Sequence, residues 1–257
     1  MSPAAKASVV GIVALLGAAA LATGDPSTGR FVPRSLSIEG RTLHSTVWEP
    51  PGYDRSRRWP CLVFLHGSGE SGSDPAAPLR VGIGPQLVAH PERWPFLVVL
   101  PQKPSDAEEW EEREDLVFAS LADARQHWSV DPARIALTGL SQGGHGAWYV
   151  AARHPALWSA VVPVAAYGRP RTIVTRIAGI PVWAFHGLHD DQVLPEETEK
   201  IVAELRRVRS AAGGGDTVET RMTLYANANH DSWDSAYAEP ELPQWLSRQR
   251  RKEGSGR

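Results

Sequence analysis

A single cysteine, Cys61, stands in the whole chain. One thiol excludes an intramolecular disulfide and any zinc site built on cysteines. It sits in the apolar run CLVFLH, where a buried strand residue is expected. Excess charge of one sign is also scarce: the formal net charge is −2, and like charges never run beyond a few residues. Nucleic acid demands a clustered basic surface, so it is not expected as a partner. The basic end RQRRKEGSGR reads as a solvated helix end and frayed terminus. No internal repeat is visible, and AAGGGD at 211–216 is the one low-complexity piece, expected to be a flexible loop.

Long apolar runs are missing as well. The one candidate, residues 7–22, follows Lys6 and ends in Ala20-Leu21-Ala22. A charged start, a short apolar stretch and a small-residue site describe a secretory signal peptide over 1–22. The run is short for a membrane span, which needs about 20 apolar residues. No cysteine follows it to carry a lipid. Export to the periplasm or medium is the expectation, with retention as an uncleaved anchor the alternative. A polar linker over 23–30 would then lead into a domain over 31–251, followed by a flexible tail over 252–257.

Hydrophobic residues make up 42% of the chain, enough for a sizeable core. Residues 31–38 and 42–48 flank the turn signal Glu39-Gly40 and read as an antiparallel hairpin, with Leu43 and Val47 on one face. Five short apolar runs follow, at 61–65, 96–100, 134–139, 160–166 and 181–187. They do not alternate with polar residues, as strands buried on both faces should not. Between them lie helical patterns: 115–128 aligns Val117, Leu121, Ala124 and Trp128, and 195–210 aligns Ile201, Leu205 and Val208. A last strand at 220–226 precedes a helix at 241–251. The fold class is α/β: a mostly parallel sheet opened by an antiparallel hairpin, with helices on both faces. In such sheets the ligand site lies at the carboxyl ends of the strands.

The strand ends carry the chemistry. RIALT runs into Gly139-Leu140-Ser141-Gln142-Gly143, a G-x-S-x-G between a strand and a helix, the setting of a nucleophile elbow. Glycines two before and two after the serine remove side chains that would collide in a strained turn. Gly144 and Gly146 are expected to let the helix pack against its strand. A serine hydroxyl needs a base, and this fold orders its triad as serine, acid, histidine. Asp190 follows the strand at 181–187, with adjacent Asp191 its competitor; His230 follows the last strand. The backbone N–H groups of Gln142 and Ser68, with Gly69 next in rank, are expected to hold an oxyanion. His186 and His189 next to Asp190 raise a metal site only weakly, since one tight strand end supplies no third ligand; no metal or cofactor is expected. His145, Glu70, Trp233, Trp110 and Trp148 are candidates for lining the substrate pocket.

FLHGSGESGSD, VVLPQKP, VDPARIALTGLSQGGHGAW, PVWAFHGLHDDQV and NHDSWDSAYAEPELPQWL together resemble the secreted bacterial α/β-hydrolases of the predicted-peptidase and phospholipase/carboxylesterase type. The resemblance runs over about 31–250. It implies the α/β-hydrolase fold, with Ser141 as nucleophile, Asp190 as acid and His230 as base, in a serine hydrolase acting on carboxylic esters. Gln142 stands where many such proteins have methionine, and Lys103 where cysteine is common. A serine peptidase of the same fold is the runner-up. The 10 tryptophans keep a third reading open, a non-catalytic carbohydrate-binding module, since aromatic faces stack on sugars.

Overall fold

The computed structural model describes residues 28–212 and 218–251. The segment read as a signal peptide, the first part of the expected linker, most of the glycine-rich loop and the expected tail lie outside the described residues. The chain turns at Thr28-Gly29 and enters β1 (Arg30–Ile38), so Arg30 belongs to the sheet and not to a linker. β2 (Arg41–Glu49) returns antiparallel. Between them Glu39 and Gly40 have φ of 50° and 75°. Positive φ at both central residues is the two-residue hairpin turn whose twist matches the strands.

β3 (Trp59–Leu65), β4 (Leu97–Gln102), β5 (Val130–Leu140), β6 (Ala160–Val164), β7 (Val182–Gly187) and β8 (Thr220–Tyr225) complete one eight-stranded sheet in the order β1-β2-β4-β3-β5-β6-β7-β8. β2 pairs antiparallel with β4, and every pair from β4 to β8 is parallel. β5 begins four residues before the apolar run that marks it in the sequence, because Val130 pairs with Trp59 across an irregularity in the ladder. The same pairing makes β3 begin at Trp59, two residues before its apolar run at 61–65.

The helices are α1 (Ile83–Ala89), α2 (Glu114–His127), α3 (Gln142–Arg153), α4 (Pro170–Ile173), α5 (Pro195–Ala211), α6 (Trp233–Ala238) and α7 (Leu242–Arg248). Alternate residues of each inner strand feed two separate cores. Cys61, Val63 and Leu65 of β3 join Leu121 of α2, Trp148 of α3 and Leu205 of α5. Leu62 and Phe64 join Leu87 of α1, Tyr237 of α6 and Trp245 of α7. Both faces are therefore covered, which is why the strand runs are continuously apolar. Each buried leucine or phenylalanine contributes about 1.5–3 kcal/mol. α1, α4 and α6 escape the sequence pattern because each is at most seven residues long. Among the described residues no helix is long and apolar enough to cross a membrane.

Candidate active site

Ser141 closes β5 and stands as the N-cap of α3, with φ 52° and ψ −118°. Only glycine visits such a conformation at low cost, so a serine there stores strain of order 1–3 kcal/mol. The neighbouring glycines hold it. A side chain on Gly139 would run into the Gly143 carbonyl, and one on Gly143 into the Leu65 carbonyl at the end of β3. Gly144 abuts both Val164 of β6 and, as expected, Gly139 of β5, whereas Gly146 abuts Trp110 instead of the strand. The Ser141 N–H donates to Val164 O at 2.9 Å, which fixes the elbow against β6.

The loops after β7 and β8 are tied together, since the Leu188 and His189 amides donate to Tyr225 O and Ala228 O at 3.0 Å each. That brings Asp190 under His230. Ser141 Oγ lies 2.9 Å from His230 Nε2, and His230 Nδ1 lies 2.8 Å from Asp190 Oδ2. The ionised Asp190 carboxylate only accepts, so His230 carries its hydrogen on Nδ1 and offers Nε2 to the hydroxyl. Asp190 is buried, at 3% exposure, while Asp191 is exposed. Burial alone would raise the Asp190 carboxyl. His230 and the Val193 and Gln192 amides, at 2.9 and 3.0 Å from Oδ1, together outweigh it and hold the group below the usual range.

The β3–α1 loop borders the serine. Ser68–Glu70 forms a single 3-10 turn capped by Gly67. A side chain on Gly67 would reach within 3.6 Å of Ser141 Cβ and 3.2 Å of Glu70 Oε2. The first amides of both this turn and α3, from Ser68 and Gln142, have no acceptor within their own helices. Burial pushes the Glu70 carboxyl up, against the Gly67 and Glu70 amides that favour its charge. The loop is anchored from β4: Gln102 Nε2 donates to Glu70 O at 3.0 Å and Asp74 O at 2.7 Å, and Gly72 N–H to Lys103 O at 2.8 Å.

The two positions at which the chain departs from its resemblance meet in space. Lys103, fully buried, donates from Nζ to Gln142 Oε1 at 2.5 Å and also to Glu108 O, and Gln142 Nε2 donates to Asp106 O at 3.0 Å. Lys103 N–H donates to His66 Nε2 at 3.0 Å, so the His66 hydrogen is on Nδ1, bonded to Gly67 O. Burial pushes His66 down to about 3, which keeps it neutral. Neither the Gln102 anchor nor the Lys103–Gln142 contact has a sequence signature beyond polar residues at the end of an apolar strand.

Several pocket candidates fall elsewhere. Trp110 is fully buried and donates from Nε1 to His66 O at 2.9 Å; Trp148 is fully buried in the α2–α3 core. His145 is wedged between Tyr149 and Tyr167, at 4.4 and 4.3 Å between ring centres. It belongs to a group with Glu109 and Glu111 whose ligand atoms lie within 4.8 Å of one another and could hold a cation. Here they pair among themselves: His145 Nε2 lies 3.0 Å from Glu111 Oε1, and the Tyr167 hydroxyl donates to Glu109 at 3.0 Å. His189 is exposed, whereas His186 reaches Asp190. Like Glu70, Trp233 keeps its place at the site, its ring edge-on to His230 at 5.2 Å while it also packs on the α6–α7 core. Nine of the 10 tryptophans are buried, which removes the stacking surface a sugar-binding module would need.

An elbow serine, a buried acid and a bridging histidine at three strand ends of this sheet agree with the family comparison, in which residues 103–237 match the dienelactone hydrolase family. The chain belongs to that family. This family member has the fold of esterases and peptidases of the α/β-hydrolase type. It resembles a thermostable esterase at 27% identity and a TM-score of 0.69, over 86% of this chain and 63% of that one. It therefore spans less than two thirds of that esterase's length. A feruloyl esterase module from Clostridium thermocellum, complexed with sinapinate, superposes with a TM-score of 0.66 at 16% identity, over 85% of this chain and 88% of the module. An S-formylglutathione hydrolase from Agrobacterium tumefaciens does so at 0.63 and 16%, over 89% and 98%. No match is found among curated proteins.

Proposed function

We propose that this hydrolase is a serine carboxylic-ester hydrolase that works through an acyl-enzyme. The observation that carries the reading is the continuous line from Ser141 Oγ through His230 to Asp190, with contacts of 2.9 and 2.8 Å. His230 takes the Ser141 proton as the hydroxyl oxygen attacks the ester carbonyl. The Ser68 and Gln142 amides receive the oxyanion, and Asp190 holds the ring in the tautomer that accepts at Nε2. Collapse expels the alcohol, which takes the proton from His230. Water then repeats the sequence with His230 as base and releases the acid. Side chains, backbone amides and water complete each step.

The half-buried Glu70 and the edge of Trp233 lie beside this line and are assigned to the substrate pocket. The apolar stretch over 7–22 supports export, which N-terminal sequencing of the protein from culture medium or periplasm would test by a start near Thr23. The activity itself is tested with p-nitrophenyl acetate and butyrate and a fluorophosphonate probe. Wild type is expected to turn over the esters and take the label at Ser141. Ser141→Ala is expected to lose at least about 10⁴-fold in kcat and all labelling. A variant that keeps wild-type turnover overturns the assignment, and faster cleavage of a matched amide than of the ester makes the chain a peptidase.

A further inference from the structure

Asp190 carries a second histidine, on the same carboxylate oxygen as His230. His186, in β7, is fully buried. Its Nε2 lies 3.1 Å from Asp190 Oδ2, the oxygen that also faces His230, and 2.9 Å from Val193 O. Its Nδ1 lies 2.8 Å from Thr198 Oγ1 on α5, and that hydroxyl lies 2.8 Å from Ala166 O.

The hydrogens in this cluster can be counted. A carbonyl only accepts, so the one Thr198 hydrogen goes to Ala166 O, and the Thr198 oxygen must then accept from His186 Nδ1. His186 Nε2 faces a carbonyl and a carboxylate, both acceptors. Every contact is satisfied at once only when both ring nitrogens carry hydrogen. If the Thr198 hydrogen turned to Nδ1 instead, the Ala166 carbonyl would face a lone pair in a buried place. A buried group left unsatisfied in that way carries its whole desolvation penalty. A proton on Asp190 is no alternative, since its two oxygens already accept from the Gln192 and Val193 amides and from His230.

We propose that His186 is a positioning residue for Asp190: a doubly protonated ring, clamped by Thr198 and Val193, that fixes the carboxylate and shares its charge with His230. The inference rests on the serine-hydrolase reading for its catalytic consequence, though not for the state of the ring. Among the hydrogen-bonding neighbours of His186, the titratable groups are Asp190 from its own loop and, across that carboxylate, His230 from the β8–α6 loop; α5 contributes only the Thr198 hydroxyl. With a cation on one side, Asp190 gives less of its charge to the other. Removing that cation leaves more of the carboxylate charge on His230 and favours its protonated form, so activity is lost at a higher pH.

Two measurements test this. In nitrogen-15 NMR of the full chain carrying Ser141→Ala, His186 is expected to show directly bonded hydrogens on both ring nitrogens near neutral pH. A ring with one hydrogen overturns the proposal whether or not Ser141 is the nucleophile. In ester kinetics, His186→Gln and the shape-conserving Thr198→Val are compared with wild type. A kcat lower by about tenfold is expected, with KM within about twofold, as positioning losses give. The acid limb of kcat/KM in His186→Gln is expected to move to higher pH by about half a unit. If both variants melt lower yet keep wild-type kcat and acid limb, the role is structural only and the proposal fails. Should His186→Gln not fold, Thr198→Val and the NMR spectrum decide. Failure of wild type to take the fluorophosphonate label would instead overturn the serine-hydrolase reading.

Discussion

The bodies of the parallel strands and their carboxyl ends obey different rules. Leu62, Val98, Leu137, Val162 and Ala184 sit mid-strand with no exposure at all, and almost any polar atom there would lack a partner. One residue past the apolar stretch the character inverts. β3 ends in His66, β4 in Gln102 and Lys103, β5 in Ser141, and β7 in His186 with Asp190 just beyond. All of these except the half-buried Ser141 are nearly as buried as the leucines, with His66, Lys103 and His186 fully so. What separates the regions is the ladder. Inside the sheet every backbone group is already paired, whereas at the strand ends loop amides and carbonyls are free to satisfy side chains. The sheet interior thus supplies stability, and its rim supplies oriented, desolvated polar groups.

The largest test of that division contrasts two adjacent carboxylates. Asp190→Asn is expected to cost about 10⁴-fold in kcat for ester cleavage, as loss of a triad acid does elsewhere. Asp191→Asn, exposed and off the line, is expected to stay within about twofold; equal losses would mean that burial does not select the acid. Next, the strand body is set against the rim. Leu137→Ala is expected to lower unfolding free energy by about 2–5 kcal/mol in urea titrations, with kcat per folded molecule unchanged. Lys103→Met should do the reverse: little change in stability, since relief of the desolvated cation offsets the Gln142 and Glu108 acceptors left without their donor, but a kcat lower by about tenfold as Gln142 loses its strap. The smallest effect is a pH trend. His66 is held down at about 3 when folded and titrates near 6.5 when unfolded, so only the unfolded chain gains a proton in between. Its share of stability is therefore present above about pH 6.5 and lost progressively as pH falls toward 3. His66→Asn is expected to flatten that slope in denaturant midpoints measured from pH 7 to 4.

Legibility followed the same division. The elbow is readable because G-x-S-x-G reports a local steric demand, and His230 because it follows the last strand. The hairpin turn at Glu39-Gly40 and the registers of Val117, Leu121 and Ala124 on α2 are readable because both depend on near neighbours. Asp190 is favoured over adjacent Asp191 in the sequence only by its spacing from the strand; the loop after β7 decides which one is buried. Trp110 and Trp148 look like pocket walls by sequence position, yet packing against Gly146 and the core buries them. His186 and Thr198, twelve residues apart, and Lys103 and Gln142, thirty-nine apart, have no local pattern linking them.

By itself, then, the sequence determined the α/β class, the two-sided core, the strained serine and the order in which an acid and a histidine follow it. Each of these is dictated by periodicity or by sterics within a few residues. The tertiary structure alone decided which aspartate is buried, that a second histidine shares it, and that a lysine holds the residue beside Ser141. Those outcomes depend on the satisfaction of buried polar groups by partners distant in the chain, and that is settled only where loops from different strands converge.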